Sequence, residues 1–169
     1  MSRLLSRSTT ARRRVLATTA ALGLALLAAA PAAQAEGNVS AAAPITVSLT
    51  VTGPDGVLFD GDVTTDGHVV NPATGGAQLC DGTNNGANPS PGATPTAALD
   101  DAAAEHGFSW DGVWYASFDD YLVTTIDGQS QTADDFWLIS VNGTATPVGG
   151  CQFQLDAGDQ VDFAWTPVG

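Results

Sequence analysis

The chain contains no lysine, and its five arginines all lie within the first 14 residues. All 18 acidic residues lie at or beyond Glu36. DNA and RNA binding depends on cationic side chains that displace counterions from phosphates, so this composition excludes a nucleic-acid partner. It also disfavours binding to an anionic membrane surface. The acidic surface is typical of a protein that charge keeps soluble, and adaptation to salt or attraction of cations is the alternative interpretation.

The sequence also lacks an apolar segment of the roughly 20 residues that a membrane-spanning helix needs. A shorter apolar run, residues 15–30, follows the arginines and precedes Ala33-Gln34-Ala35, a small-residue cleavage pattern. We therefore predict that residues 1–35 are a signal peptide and that the product is secreted without a membrane anchor. The arginines at 12–14 leave the export route open between the general secretory and the twin-arginine pathways.

Cysteine is scarce, because Cys80 and Cys151 are the two in the chain. An oxidising compartment favours a disulfide between them. In the chain-entropy model, closing the 71-residue loop between Cys80 and Cys151 stabilises the fold by about 4 kcal/mol. The alternatives are two free thiols or a thiolate metal site. The metal site would need a further cysteine or a nearby histidine to complete it, and the sequence offers neither.

Alternation of apolar and polar residues predicts β-strands on both sides of an irregular region. The predicted strands are residues 45–51, 57–63, 121–126, 135–141, 150–155 and 160–165. Residues 36–44 are small and polar, which predicts a flexible leader. Residues 71–95 lose the alternation among glycine, proline and asparagine, which predicts a long loop that contains Cys80.

One segment has the pattern of an α-helix. Thr94 and Pro95 suit a first turn, the alanines that follow favour helix, and Gly107 ends it. Because this helix is short, we expect it to pack on a sheet. A hairpin, a helix and further strands predict a single α+β domain over residues 45–169, with a β-grasp-like, mostly antiparallel or mixed sheet and one packed helix.

Four segments in the second half of the chain follow one another in a distinctive order. They are residues 121–128, residues 137–143, Pro147-Val148-Gly149 and residues 155–161. In this order, and with the predicted helix before them, they resemble the transcobalamin-like C-terminal domain family. The resemblance covers about residues 45–165, and the glycine-rich loop with Cys80 resembles a secreted bacterial branch.

This resemblance implies a β-grasp-like fold related to domains that bind soluble ligands. In transcobalamin and intrinsic factor the related domain covers one side of cobalamin, and a large helical domain holds the other side. The present sequence has no counterpart of that helical domain. Cobalamin is the one ligand that the resemblance names, and we otherwise expect no cofactor.

The sequence does not combine a nucleophile with an oriented base, which nucleophilic catalysis needs. Its two histidines are His68, near a strand end, and His106, where it suits the C-terminal end of the helix. Paired carboxylates are too frequent in so acidic a chain for any pair to indicate a glycosidase. We therefore expect a protein that is not an enzyme.

A short segment after Cys80 begins like a calcium-binding EF-hand loop. Asp81, Thr83 and Asn85 are oxygen-bearing residues at alternate positions, and a glycine follows at the sixth position. The twelfth position is Gly92, where the motif requires a bidentate glutamate. We expect a turn and no metal site here, with weak calcium binding as the alternative.

Aromatic residues are the best candidates for a binding surface. Trp110, Trp114, Tyr115 and Tyr121 fall near turns and are predicted to form an exposed platform for a sugar ring or a planar ligand. Trp137 is the candidate that matches the family, although core packing is the default for an aromatic residue in a strand.

Two interpretations follow from these observations. The preferred one is a secreted, monomeric, non-catalytic module that binds an unidentified small molecule or surface glycan. The alternative is an acidic structural or protein-interaction domain without a small ligand.

Overall fold

A computed structural model describes residues 42–169. The predicted signal peptide and most of the predicted leader lie outside these residues, and both stay predictions. Within the described part of the chain, no helix is long and apolar enough to cross a membrane.

Residues 42–169 fold into ten strands, one α-helix and one turn of 3-10 helix. The strands are β1 (Ile45–Gly53), β2 (Gly56–Thr65), β3 (His68–Val70), β4 (Gln78–Cys80), β5 (Trp110–Tyr115), β6 (Asp120–Ile126), β7 (Gln129–Ser130), β8 (Asp135–Val141), β9 (Thr144–Ala145) and β10 (Gln160–Pro167). The helix is α1 (Pro95–His106), and the 3-10 turn is Asn84–Gly86. The predicted α+β class is confirmed.

The largest sheet has the strand order β2-β1-β10-β8-β9. β1 pairs with β2 and β8 pairs with β10 in antiparallel fashion, whereas β1 and β10 are parallel. Val47, Leu49 and Val51 of β1 are buried at alternate positions, as the period of a strand requires. Phe163 of β10, opposite Val51, is fully buried beside them. The two ends of the domain thus meet in the centre of its core.

The helix begins and ends where the sequence predicts. The side chain of Thr94 accepts a hydrogen bond from the backbone N–H of Ala97, at 3.1 Å. Gly107 has a φ of 76°, a left-handed conformation that glycine adopts without strain, and its N–H donates to the Ala103 carbonyl. Leu99 is fully buried against the main sheet, together with the helix alanines on the same face.

Two smaller sheets lie outside the main one. β3 pairs with β4, and β5, β6 and β7 form a three-stranded antiparallel sheet. The predicted loop at 71–95 is therefore wrong at Gln78–Cys80, which is β4. The three-residue β4 is too short for its alternation to stand out between glycines.

The predicted strand at 150–155 is also wrong. Its backbone groups bond to other partners: Gln152 N–H donates to the Gly149 carbonyl, and Leu155 N–H donates to the Ala93 carbonyl. Apolar and polar residues alternate in the sequence of this segment, but burial does not, because Gln152 is buried next to Cys151. The antiparallel neighbour of β8 on this side is instead the two-residue β9.

The predicted disulfide between Cys80 and Cys151 is confirmed, and both residues are buried. It joins β4 to the turn at 149–152. Beside it, the N–H of Gly82 donates to the Cys151 carbonyl at 3.1 Å. The disulfide therefore attaches this irregular turn to β4 and to the core.

Replacing both cysteines by serine is expected to lower the free energy of unfolding by about 4 kcal/mol, because the unfolded chain is released from a closed loop. Urea unfolding followed by circular dichroism measures the change. Reduced wild-type protein is the control and should lose a similar amount. Equal stability of the oxidised wild type and the double variant would contradict the prediction.

Candidate functional site

A cleft of about 530 Å³ lies between the turn that joins β5 to β6 and the segment 147–152. Tyr115, Phe118 and Leu122 form one wall, and Pro147, Val148 and Gly149 form the other. This volume falls within the range of about 300 to 1,000 Å³ that is usual for small-molecule sites.

The first wall of the cleft is apolar and open to solvent. Phe118 is 68% exposed, Tyr115 is 44% exposed and Leu122 is 41% exposed. The rings of Tyr115 and Phe118 lie edge to face with centroids 6.3 Å apart. Because a cluster of large exposed apolar side chains often marks an interaction surface, this wall is a candidate contact surface for a ligand.

The local backbone explains why Phe118 is exposed. Its N–H donates to the Tyr115 carbonyl at 2.9 Å, which closes a tight turn between the two strands. Asp119 follows with a φ of 53°, a left-handed conformation that aspartate tolerates better than most residues. The turn therefore presents the Phe118 ring at its tip.

Asp120 lies at the cleft and is only 5% exposed. Its Oδ1 accepts hydrogen bonds from two backbone N–H groups, that of Tyr121 at 2.7 Å and that of Cys151 at 3.0 Å. Its Oδ2 is buried and has no hydrogen-bond partner within residues 42–169. Burial raises the pKa of Asp120 to about 6, against the effect of the backbone N–H groups of Cys151, Tyr121 and Gln152, and the nearby charge of Asp119 adds to the rise.

Gly149 packs its backbone directly against the Asp120 carboxylate. A Cβ at this position would collide with Oδ2, so the close approach requires a glycine. Gln152, also buried, donates from Nε2 to the Asp119 carbonyl at 2.6 Å and accepts a longer bond from Asn85 at 3.4 Å. These contacts tie the loop after β4, the β5–β6 turn and the segment 147–152 together around the cleft.

The predicted aromatic platform is only partly present. Trp110 and Tyr121 are 2% and 3% exposed, so the expectation that they are exposed is wrong. Trp114 is half-buried, and both indoles contact Tyr121 edge to face, with centroids 5.5 and 4.9 Å away. All three lie on the side of β5 and β6 that faces the core, whereas Tyr115 lies on the exposed side.

These buried aromatic residues also have hydrogen-bond partners. Trp110 donates from Nε1 to Asp100 at 2.7 Å, and the Tyr121 hydroxyl donates to the Gly76 carbonyl. Tyr121 nevertheless lines the cleft, as does Tyr115. The cleft therefore contains two of the five predicted aromatic residues.

Trp137 lies in β8, outside the cleft, and is 4% exposed. Its ring meets that of Trp165 on β10 with centroids 5.2 Å apart, and its Nε1 donates to the Gln129 carbonyl. These contacts account for Trp137 as a core residue, so the structure does not bring it together with the other four candidates.

Sequence reasoning missed Phe118, Leu122 and Asp120. An aromatic residue flanked by small and acidic residues just before a predicted strand, as in Ala116 to Asp119, is a usable signal for Phe118. No comparable signal distinguishes Asp120, because burial sets it apart from the other carboxylates and burial is a tertiary property.

The candidate calcium ligands have protein partners for their polar groups. Asp81 Oδ1 accepts from the N–H and the hydroxyl of Thr83, at 3.1 and 2.8 Å. Asn85 has a φ of 53° and contacts Gln152. Among residues 42–169, no group of three or more histidine, cysteine or carboxylate side chains is placed to hold a metal ion.

A second charged cluster joins β3 to the helix. His68 Nδ1 lies 3.5 Å from Asp66, and its Nε2 lies 3.5 Å from Asp100 and 3.7 Å from Asp101. The pKa of His68 rises to about 9, chiefly through its hydrogen bond with Asp100 and against the effect of burial, with smaller contributions from the charge of Asp101 and from a hydrogen bond to the backbone carbonyl of Asp66. His106, in the last turn of the helix, packs on Phe59 with ring centroids 4.8 Å apart.

Parts of the chain are similar to known proteins. The model of a family described as a domain of unknown function (DUF4430) matches residues 98–167. No curated protein matches the chain. Among solved structures, haptocorrin in complex with Cbi is similar with a TM-score of 0.49 and 14% identity. That match covers 74% of this chain and 25% of the haptocorrin chain, so the present chain spans about a quarter of that protein.

Asp120 is expected to titrate near pH 6, well above the usual 3.8, because its ionised form is desolvated. Since its pKa is higher in the folded state, protonation of Asp120 favours folding, and that contribution is lost as the pH rises through 6. Carboxyl ¹³C NMR measures the midpoint, and Asp120→Asn assigns the resonance. A midpoint near 4 would show that the carboxylate is solvated.

His68 is expected to make stability depend on pH in the alkaline range. Its proton is held more tightly in the folded state, where the pKa is about 9, than in the unfolded chain, where the pKa has its ordinary value of 6.5. The stabilisation is therefore complete below pH 6.5 and is lost as the pH rises through 9, by an amount on the order of 2 kcal/mol.

Urea unfolding at several pH values tests this effect in the wild type and in His68→Gln. The variant should lose the pH dependence in this range. His106→Gln is the matched control, because it removes the other histidine and leaves the carboxylate cluster around His68 intact. Parallel stability curves for the wild type and His68→Gln would refute the assignment.

Proposed function

We propose that this protein is a secreted, non-catalytic binding module whose ligand site is the cleft between the β5–β6 turn and the segment 147–152. The observation that carries the proposal is the apolar wall of Phe118, Tyr115 and Leu122, which is exposed and lines the cleft. A ligand that covers this wall removes apolar surface from water, and each large side chain that it buries contributes to affinity.

The frame of the cleft supports this proposal because it is held in place before any ligand arrives. The disulfide anchors one wall to the core, and Asp120 joins that wall to β6 through the N–H of Cys151. Gln152 adds a bond to the carbonyl of Asp119 in the opposing turn. A site that is already ordered loses less conformational entropy on binding.

A non-catalytic role is the simplest account of the polar groups. A raised pKa in a cleft is a common property of a general base. However, one oxygen of Asp120 is already engaged by two backbone N–H groups, which is the arrangement of a structural anchor. His68 and His106 lie outside the cleft and contact other side chains.

We further infer that the domain is β-grasp-like and of the transcobalamin-like C-terminal type. The strand order supports this inference: a β1–β2 hairpin is followed by α1, and the last strand, β10, returns parallel to β1. The DUF4430 match begins within α1 and ends within β10. The inference does not depend on the similarity to haptocorrin. Cobalamins are included only among the compounds to test.

Secretion is part of the proposal. The basic and apolar pattern of residues 1–35 supports export. The disulfide within the described residues supports an oxidising destination, because such bonds are rare where thiols are kept reduced.

Binding can be tested with the secreted, oxidised protein and a panel of cobalamins, soluble glycans and small aromatic compounds. Two-dimensional ¹H–¹⁵N NMR should show that one class of these compounds shifts backbone amide signals in a saturable way. The shifted signals should be concentrated at residues 115–122 and 147–152. Leu122→Ala should weaken that binding about fivefold, because it removes apolar contact area from the wall.

Leu79→Ala is the matched control, since Leu79 is also an exposed strand leucine and lies outside the cleft. It should leave the affinity unchanged. Failure of every class to bind the folded protein would favour the alternative, an acidic domain that contacts other proteins. An equal loss in both leucine variants would place the binding elsewhere.

A further inference from the structure

We propose that the cleft binds an organic cation, namely a compound with an apolar or aromatic body and a primary or secondary ammonium group that donates a hydrogen bond to the carboxylate of Asp120. This inference rests on the proposed function, because it names the ligand class of the same cleft. Three observations support it, and each concerns a different property of the site.

The first observation is the sign of the charge. Beyond residue 14 the sequence has no lysine or arginine, and His68 is already surrounded by three carboxylates. An anionic ligand would therefore meet acidic residues with no cationic side chain to pair with. The field of such a surface raises the local concentration of cations and repels anions.

The second observation is the unsatisfied oxygen of Asp120. Oδ2 is buried and has no hydrogen-bond partner in the described part of the chain, whereas Oδ1 has two. A buried carboxylate oxygen without a donor is unfavourable, and a charged donor is the partner that relieves it most. Gly149 also lines the cleft, and its backbone packs so closely on Oδ2 that a side chain at that position would overlap the oxygen, so the main chain of Gly149 is what separates Oδ2 from the cleft and must yield to a ligand.

The third observation is the chemistry of the walls. Tyr115, Phe118 and Tyr121 all line the cleft, and the aromatic faces of such residues attract cations as well as flat apolar groups. Leu122, Pro147 and Val148 supply aliphatic surface around them. An ammonium ion with an apolar body matches both the carboxylate and these walls.

A hard metal ion fits the cleft less well than an organic cation. Calcium takes six to eight oxygen ligands, usually with several carboxylates among them, and Asp120 is the one carboxylate among the twelve residues that line this cleft, six of which are aromatic or aliphatic. A quaternary ammonium ion also fits less well than a primary one, since it has no N–H to donate to Oδ2. These differences restrict the proposal to amines that carry at least one N–H.

Three compounds that share one ring system separate charge from shape: 2-naphthylmethylamine, 2-naphthylmethanol and 2-naphthoate. Isothermal titration calorimetry with the oxidised protein at pH 7.5 measures their affinities. The amine should bind about tenfold more tightly than the alcohol, which corresponds to one charge-assisted hydrogen bond. The carboxylate should bind more weakly than the alcohol.

Asp120→Asn is the informative variant, because its amide oxygen can still accept from the N–H groups of Tyr121 and Cys151. It should reduce the affinity for the amine to about that of the alcohol and leave the alcohol within about twofold of the wild type. Asp127→Asn is the matched control: it removes one carboxylate at the end of β6, and its φ of 46° suits asparagine. It should change neither affinity by more than about twofold.

A pH series on the wild type keeps the test decisive if Asp120→Asn fails to fold. Asp120 takes up a proton around pH 6, so the preference for the amine should fall about fivefold between pH 7.5 and 5 while the affinity for the alcohol stays constant. Asp119 is the other charged group beside Asp120, and the facing segment 149–152 and Asn84 and Asn85 carry no titratable side chain.

Each remaining outcome bears on a different proposal. Equal affinity for amine and alcohol at pH 7.5 would overturn the organic-cation inference and leave the binding module intact, provided that Leu122→Ala weakens both compounds. An equal loss of amine binding in Asp127→Asn would show attraction by the general acidic surface and would also overturn it. Absence of binding by all three compounds overturns the inference, while the wider ligand panel decides the proposed function.

Discussion

Two backbone N–H groups, those of Tyr121 and Cys151, donate to one oxygen of Asp120, and the cleft depends on this arrangement. It joins the start of β6 to a turn that has no strand partner of its own. The second oxygen of the same carboxylate is buried without a partner in the described chain. The group that organises the cleft is thus also the group in it that gains most from a ligand.

Keeping such a carboxylate buried is unfavourable, and other parts of the fold compensate for it. The disulfide restrains the unfolded chain, and the parallel pair of β1 and β10 buries Leu49, Val51 and Phe163 completely. Gly149 allows the backbone to approach the carboxylate closely. Stability in this domain therefore comes from the main sheet, and the destabilising group lies outside that sheet, at the start of β6.

Two groups of acidic residues in the described chain differ in whether a cation pairs with them: the half-buried cluster around His68 and the buried Asp120. Asp66, Asp100 and Asp101 surround His68, whose positive charge compensates them and holds β3 against the helix. Asp120 has received no cation from the described chain, although Asp119 adds negative charge beside it. An excess of acidic residues alone does not explain this contrast. It is the reason to regard Asp120 as unsatisfied and the first cluster as structural.

The sequence by itself determined the local elements of this protein, because their signals are short-range. Alternation predicted β1, β2, β6, β8 and β10. Thr94 and Gly107 marked the ends of the helix, and the two cysteines had only each other as partners. Tertiary structure decided what depends on contacts between distant segments: the parallel pairing of β1 with β10, the burial of Trp110 and Tyr121, and the irregular path of residues 150–155. The cleft belongs to this second group, because its walls come from parts of the chain more than 20 residues apart and its carboxylate differs from the other acidic residues only in what surrounds it.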